Sequence, residues 1–433
     1  MFLALAMLLA ANNVSYAQCT ISGLGGGTGD QADPYIISSI GHLVALSDYF
    51  SHYGNACYAS YFKITADIDA AGSAFVPLSY FGGNIDGQHH TISNITTTGR
   101  AGFIEYGDGC HISNLGLVNV NVLNNTNTGV GGFVGSVYGG VFVRCYVSGG
   151  HIEGTEDVGG FVGYDDPYSN YNQCYSTANV IAAGRDDGFT AAGGFGGYCY
   201  GVFYNCYAKG NVTGTSLANY APGAYIGGFI GVSERNNGDG TQFFNCYARG
   251  NVSGRGVVGG FAGGPNYTND AAHNCYSTGQ VSRIADTLFG GFYGWVGGVS
   301  DCYYVSTWQG TDATGDNWSS ITNTNVGTGY TSAYMQTTSF LAEINANATN
   351  PINPYIADVS GVNGGYPILS WMEYGSEANP YLIYTIEDLR GLSDSVQNNH
   401  LQAGKYWYLM NDLTFTDADL IYDLDADGTA ESN

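Results

Sequence analysis

One repeat limits what this chain can fold into. Between Gly131 and Cys302 the sequence writes Gly-Gly-Phe six times, starting at Gly131, Gly159, Gly193, Gly227, Gly259 and Gly290. Each copy is followed by Cys-Tyr, at Cys145, Cys174, Cys206, Cys246, Cys275 and Cys302. A near-constant period of this size marks stacked copies of one unit, each able to bury its apolar face only against its neighbours.

Composition decides what is stacked. Glycine (67) and tyrosine (36) are abundant, and charged residues make up only 11% of the chain. The runs between glycines, such as Val141-Phe142-Val143 and Val118-Asn119-Val120-Asn121-Val122, are short, β-branched or aromatic, and alternating, which is the pattern of strands. A helical repeat would pay about 1 kcal/mol for each internal glycine. The expected fold is therefore all-β, a parallel β-helix (β-solenoid) with short capping helices.

In such a coil, equivalent residues of successive rungs lie about 4.8 Å apart and form ladders. Phe133, Phe161, Phe195, Phe229, Phe261 and Phe292 are expected to stack inside. The paired glycines make corners where a side chain would collide or where φ must be positive. Strand alternation puts Cys and Tyr on opposite faces, and we expect sulfur inward and phenol outward, because free cysteine is among the most buried residue types. Tyr146, Tyr175, Tyr207, Tyr247, Tyr276 and Tyr303 then form an external aromatic stripe, which either binds a ligand or only stabilises the coil.

The copies, read as Gly-Gly-Phe-(Val/Ile/Ala/Gly)-Gly followed by Asn-Cys-Tyr-Ala-Lys-Gly-Asn-Val at Asn205 to Val212, resemble the GLUG motif of bacterial surface and secreted proteins. That motif also occurs in the non-catalytic region of some immunoglobulin A peptidases and in large adhesins. Phe stands where Leu is more usual. The resemblance covers residues 129–305, and Asp33 to Ile37, Phe62 to Asp69, Asn84 to Asn94 and Gly364 to Trp371 resemble the opening and closing segments of such domains.

That opening is written a second time. Asn379 to Tyr384 echoes residues 33–38, and Tyr406 to Leu413 echoes residues 61–68. Thr385 and Asp388 have capping-box spacing before apolar positions at helical intervals, and Ser39 to Leu46 is the counterpart. Each helix is expected to cover an open end of a coil. At the amino terminus an apolar run, Phe2 to Ala11, precedes Ser15-Tyr16-Ala17, the pattern of a bacterial signal peptide cleaved before Gln18, although no Lys or Arg precedes it. The expected organisation is a signal peptide (1–17), an N-terminal cap and first rungs (18–128), the repeats (129–305), a closing segment (306–372) and the start of a second module (373–433), which suggests a fragment of a longer polypeptide.

Six of the ten cysteines share one column, where parallel side chains favour a buried thiol ladder over sequential bridges. Cys57 and Cys110, outside the column, are the better candidates for bridging. A net charge of -25, from 36 acidic and 11 basic residues, argues against nucleic acid and anionic membrane as partners. It suits a soluble extracellular protein that takes up Ca2+. Asp423, Asp425 and Asp427 occupy alternating positions of an EF-hand or dockerin-like loop with Glu431 as ninth ligand; the other reading is an acidic insertion.

No His-Glu-x-x-His, Gly-x-Ser-x-Gly or Walker-type loop is present. Acidic loops at Glu153 to Asp157, Asp165-Asp166 and Arg185 to Asp187 lie one or two rungs apart. They either face water or gather as the carboxylates of a β-helix polysaccharide lyase or glycosidase. The leading expectation, implied mainly by the resemblance, is a secreted or cell-surface adhesin-like stalk that presents a surface to a glycan or to a host or neighbour-cell protein, without catalysis. A carbohydrate-active enzyme and a purely structural spacer are the alternatives.

Overall fold

The computed structural model describes residues 19–432 except 100, 124–127, 185–188, 216–222, 237–238, 266–270, 284–287, 296–297, 307–327, 347, 349–353, 374–379, 398–404, 415–420 and 423–430. The proposed signal peptide lies outside the described residues. The chain winds as a parallel β-helix whose walls are long parallel sheets running up the coil, of 10, 6, 6 and 15 strands among the described residues.

A single rung shows how the repeat makes the wall. The strand Val130–Gly131 leads through the Gly-Gly-Phe corner into Val134–Tyr138, then Val141–Val143, then a corner at Arg144-Cys145, then Tyr146–Gly154. Each pairs in parallel with its copy one rung on, with Gly131 opposite Gly159, Phe142 opposite Tyr171 and Tyr146 opposite Tyr175. Register is thus fixed by sequence-equivalent residues, as the repeat requires.

The glycine corners answer to space. A β-carbon on Gly131, Gly159, Gly193, Gly227 or Gly259 would sit 1.8 to 2.1 Å from a carbonyl oxygen three residues on. None of these five has positive φ, so close backbone approach, the first of the two expected reasons, is the one that operates.

The inward phenylalanines stack as expected. Ring centroids lie 4.8 Å apart for Phe133 and Phe161, 4.8 Å for Phe161 and Phe195, 5.1 Å for Phe195 and Phe229, 5.0 Å for Phe229 and Phe261, and 4.6 Å for Phe261 and Phe292. A second inner ladder, Phe142, Tyr171, Phe203 and Phe243, meets the first edge to face. Both geometries are ones aromatic quadrupoles favour.

The six column cysteines are buried, unbridged thiols, each Sγ donating to backbone carbonyls of its own and the preceding rung, as Cys174 does to Asn172 and Phe142, both at 3.4 Å. Burial pushes the thiols of Cys145, Cys206 and Cys275 up. The bridge expectation is corrected in part. Cys57 is bonded to Cys19, whereas Cys110 is a free thiol inside the coil, its titration pushed up to about 12 by burial.

The end of the coil is capped as its sequence implies. The helix Ile40–Tyr53 starts at Ser39, whose Oγ accepts from the His42 amide at 3.3 Å. It buries Leu43, Leu46 and Phe50, with the Phe50 ring 5.2 Å from Phe81 and 6.4 Å from Phe62. Further along, Tyr381–Ile383 pairs in parallel with Trp407–Leu409, Tyr381 opposite Trp407, as Tyr35 stands opposite Phe62 at the first opening. The Ile386–Gln397 helix carries the capping box: the Asp388 amide donates to Thr385 Oγ1 at 3.2 Å, and the Thr385 amide to Asp388 Oδ2 at 2.9 Å.

Candidate binding cleft beside the tyrosine column

The tyrosines do leave the coil, on the face opposite the thiols, and stack closely. Centroids are 4.7 Å apart for Tyr146 and Tyr175, 4.6 Å for Tyr175 and Tyr207, 4.9 Å for Tyr207 and Tyr247, and 4.9 Å for Tyr247 and Tyr276, all within 6° of parallel. Such stacking has a consequence for recognition: most ring faces are taken up by neighbouring rings, leaving edges and hydroxyls to be presented.

The expected external stripe is corrected over most of its length. After Tyr303 the closing segment folds back along the column, through the helix Thr338–Ala346 and the antiparallel strands Tyr355–Ile356 and Ile368–Leu369. Tyr207, Tyr247, Tyr276 and Tyr303 are buried beneath it with Met335, Phe340, Ile344, Tyr355, Tyr366 and Leu369. Several polar groups find partners in this layer. Tyr355 Oη donates to Asn274 O at 3.0 Å, Asn363 Nδ2 donates to Tyr276 Oη at 2.8 Å, Tyr276 Oη donates to Pro367 O, and Trp371 Nε1 donates to Asn205 O at 2.9 Å.

The roof ends near Tyr207. Beyond it Tyr146 and Tyr175 are half-buried and open onto a cleft of about 290 Å³ lined also by His89, Asn114, Arg144, Gln173, Tyr207, Lys209, Val362, Trp371, Met372, Pro380 and Leu382. Trp371 forms one side, tilted 27° to Tyr175 and Tyr207 at 6.4 and 5.9 Å. Lys209 Nζ donates to Val362 O at 2.5 Å, and Arg144 Nε to Asn114 Oδ1 at 2.8 Å.

Protonation is legible from the surroundings. Burial pushes Tyr146 up to about 12 and raises Tyr175 and Tyr207 further, so these phenols stay protonated donors at neutral pH. Burial and the neighbouring Arg144 charge hold His89 below its ordinary value, while burial and Arg249 hold Lys209 down.

Sequence reasoning missed Arg144, Gln173 and Trp371. The signal was present in the residue before each Cys: Asn205, Asn245 and Asn274 occupy a left-handed corner with φ of 54°, and Arg144 and Gln173 occupy the same corner at 56° and 57°. Asparagine tolerates this conformation and links rungs through its amide, Asn274 Nδ2 to Asn245 Oδ1 at 2.8 Å and Asn245 Nδ2 to Asn205 Oδ1 at 3.1 Å. Arginine and glutamine gain less from it.

The other candidates are placed differently. Asp423, Asp425 and Asp427 lie outside the described residues; Glu431 falls in the strand Glu431–Ser432, whose side chains are not described. Asp165 does not face water. It is fully buried, its Oδ2 accepts from the Gly201 amide at 2.8 Å, and burial pushes its carboxyl up to about 7. Asp157, buried in the same way, is also pushed up to about 7, and Asp187 lies outside the described residues. Among the described residues no His/Cys/Asp/Glu group has metal-binding geometry, and no helix is long and apolar enough to cross a membrane.

No known protein family matches the chain. It is 28% identical over 172 residues to Halomucin of Haloquadratum walsbyi, a stretch that is 36% of this chain and 2% of Halomucin. The chain therefore spans a small fraction of that relative. Among solved structures, one provisionally assigned as an immunoglobulin A1 protease from Bacteroides ovatus aligns over 81% of this chain and 96% of its own, at 20% identity and a TM-score of 0.45. At that distance nothing about activity transfers.

Proposed function

We propose that this chain is the β-helical region of a secreted or cell-surface, adhesin-like GLUG-type repeat protein that holds a glycan in the cleft beside Tyr146 and Tyr175, without catalysis in this segment. The observation that carries the reading is the end of the roof: one tyrosine column is buried where the closing segment lies on it and opens onto a donor-rich cleft where that segment stops. The Cys19–Cys57 disulfide and the net charge of -25 support an extracellular setting, where such bridges persist. The repeated pairing register at Tyr381 supports a second module beginning at residue 373. Asp423, Asp425, Asp427 and Glu431 remain the candidate Ca2+ ligands of that module, and a surface protein of a host or neighbouring cell is the alternative partner.

The test is a glycan array probed with the purified full chain, paired with reducing-sugar release from the same glycans. Retention without turnover, lost in Tyr146→Ala and Tyr175→Ala, supports the reading. Reproducible turnover of any glycan by the purified chain moves the assignment to a polysaccharide-cleaving enzyme, and neither retention nor turnover leaves a structural spacer.

A further inference from the structure

A second aromatic face runs up the coil on a different wall. In the six-stranded sheet that holds Val134–Tyr138, Tyr106, Ser136, Tyr164 and Tyr198 stand opposite one another on successive rungs, half-buried on its outer side. Beside them Tyr138 lies opposite Asp108, and the Asp166 amide donates to Val137 O at 2.7 Å, which places Asp166 one rung further on. Tyr138 is thus flanked by a carboxylate on each neighbouring rung. It is 43% exposed, and Tyr168, at 62%, meets it edge to face at 6.0 Å. Tyr80 and Tyr106 are tilted by 35° at 5.0 Å, and Tyr164 meets Tyr200 at 67°. Tilted and edge-on rings leave parts of their faces uncovered by other rings, unlike the closely stacked column from Tyr146 to Tyr276.

Unpaired acids are expected in a chain with 36 acidic and 11 basic residues, so the lack of a base beside Asp108 and Asp166 is not informative alone. Their setting is what distinguishes them. Both are half-buried among phenol rings, and neither forms an ion pair among the described residues. Asp108 Oδ2 accepts from the Tyr80 hydroxyl at 2.5 Å, while burial raises the Asp166 carboxyl and the Tyr164 hydroxyl pulls it the other way. Burial, then Asp166 and Asp108, push the Tyr106 phenol up. Of the described bases, Arg144 and Lys209 line the cleft, Lys63 lies on the ten-stranded wall, Arg249 stacks on Tyr366 and Lys405 pairs with Glu373. Two negative charges are therefore held partly out of water, against aromatic rings.

We propose that this face docks a lysine- or arginine-bearing segment of a partner protein, with a cationic side chain over the Tyr138 and Tyr168 rings and between Asp108 and Asp166. Cations are drawn both to aromatic faces and to carboxylates, and partial removal of water strengthens both attractions. A divalent metal ion fits less well. No His/Cys/Asp/Glu group among the described residues has metal-binding geometry, and Asp108 and Asp166 stand two rungs apart, about 9.6 Å along the coil. An added strand has no place either, since Val134–Tyr138 is paired on both sides. A segment with several bases can use tyrosines on several rungs. The proposal is independent of the glycan reading, and the cleft takes no part in it.

The experiment is calorimetric titration of the full chain with deca-lysine, deca-arginine, spermidine and Ca2+. Asp108→Asn and Asp166→Asn remove charge while keeping shape and an acceptor oxygen, and Tyr138→Ala and Tyr168→Ala remove exposed rings. Asp412→Asn, at an exposed acid of the second module, reports attraction to the charge of the whole chain. At least one basic peptide should bind, about fivefold or more weakly to Asp166→Asn and Tyr138→Ala, and within about twofold of the native affinity to Asp412→Asn. Equal losses in Asp166→Asn and Asp412→Asn overturn the proposal, because they report net charge alone. No binding of either peptide overturns it as well. Unchanged affinity in both Tyr138→Ala and Tyr168→Ala overturns the seating over the rings. Spermidine or Ca2+ bound as tightly as the peptides, with the same sensitivity to Asp166→Asn, overturns a protein segment as the occupant.

Discussion

The two halves of the tyrosine column carry the same residue, in the same register, on the same wall. From Tyr207 to Tyr303 the rings are buried under the closing segment, whereas Tyr146 and Tyr175 are half-covered and meet a cavity. The difference lies in the cover. A repeat fixes where a side chain points, and a non-repeating segment decides whether that side chain becomes core or surface. The corner residues change over the same stretch, with Asn205, Asn245 and Asn274 linked under the roof and Arg144 and Gln173 beside the cavity.

The largest effect that could break this comparison is truncation. Tyr276→Ala removes a fully buried ring whose hydroxyl is tied to Asn363 and Pro367, and about 3–5 kcal/mol of unfolding free energy should be lost. Tyr146→Ala, at the open end, should cost less than half as much. Urea unfolding of both variants measures the gap, and equal losses would mean that the roof contributes nothing at Tyr276.

Next in size is a pH effect centred on the buried carboxyls. Asp165 and Asp157 are raised by burial from 3.8 to about 7, so between these values the folded chain holds protons that the unfolded chain has released. Stability should therefore be greatest below about pH 4 from these two groups and fall by a few kcal/mol as pH rises to 7. Asp165→Asn, which keeps an acceptor for the Gly201 amide, should flatten much of that fall in thermal melts recorded from pH 4 to pH 8. An unchanged slope would show that Asp165 is ionised and solvated in the fold.

The smallest effect belongs to the corner column. Arg144→Asn should raise stability by about 0.5 kcal/mol, since asparagine is better suited to positive φ and can extend the amide ladder. Gln173→Asn should behave alike. A loss at both positions would show that the long side chains pack in ways that outweigh the backbone cost.

Much of the coil was legible because its contacts are between copies. The Phe133 to Phe292 ladder, the Gly131-type corners and the thiol column follow from period and alternation alone, and Ser39 and Thr385 announced their helices through local spacing. The roof was not legible in that way. Trp371 bonds to Asn205 and Lys209 to Val362, contacts 166 and 153 residues apart in a segment that repeats nothing, so no pattern connects them. The partner of Cys57 was hidden for the same reason, since spacing does not determine pairing and Cys19 lies 38 residues away. The outward direction of the tyrosines was readable; their burial was not.

Hydroxyl-radical footprinting of the native chain, read tyrosine by tyrosine by mass spectrometry, tests the division between roofed and open column most directly. Tyr247 and Tyr276, with no exposed surface, should be protected to the level of the core, Tyr146 and Tyr175 should react at an intermediate rate, and Tyr168, at 62% exposure, should react fastest. Equal reactivity along the whole column from Tyr146 to Tyr276 would contradict the account, because it would mean that no closing segment lies on the coil.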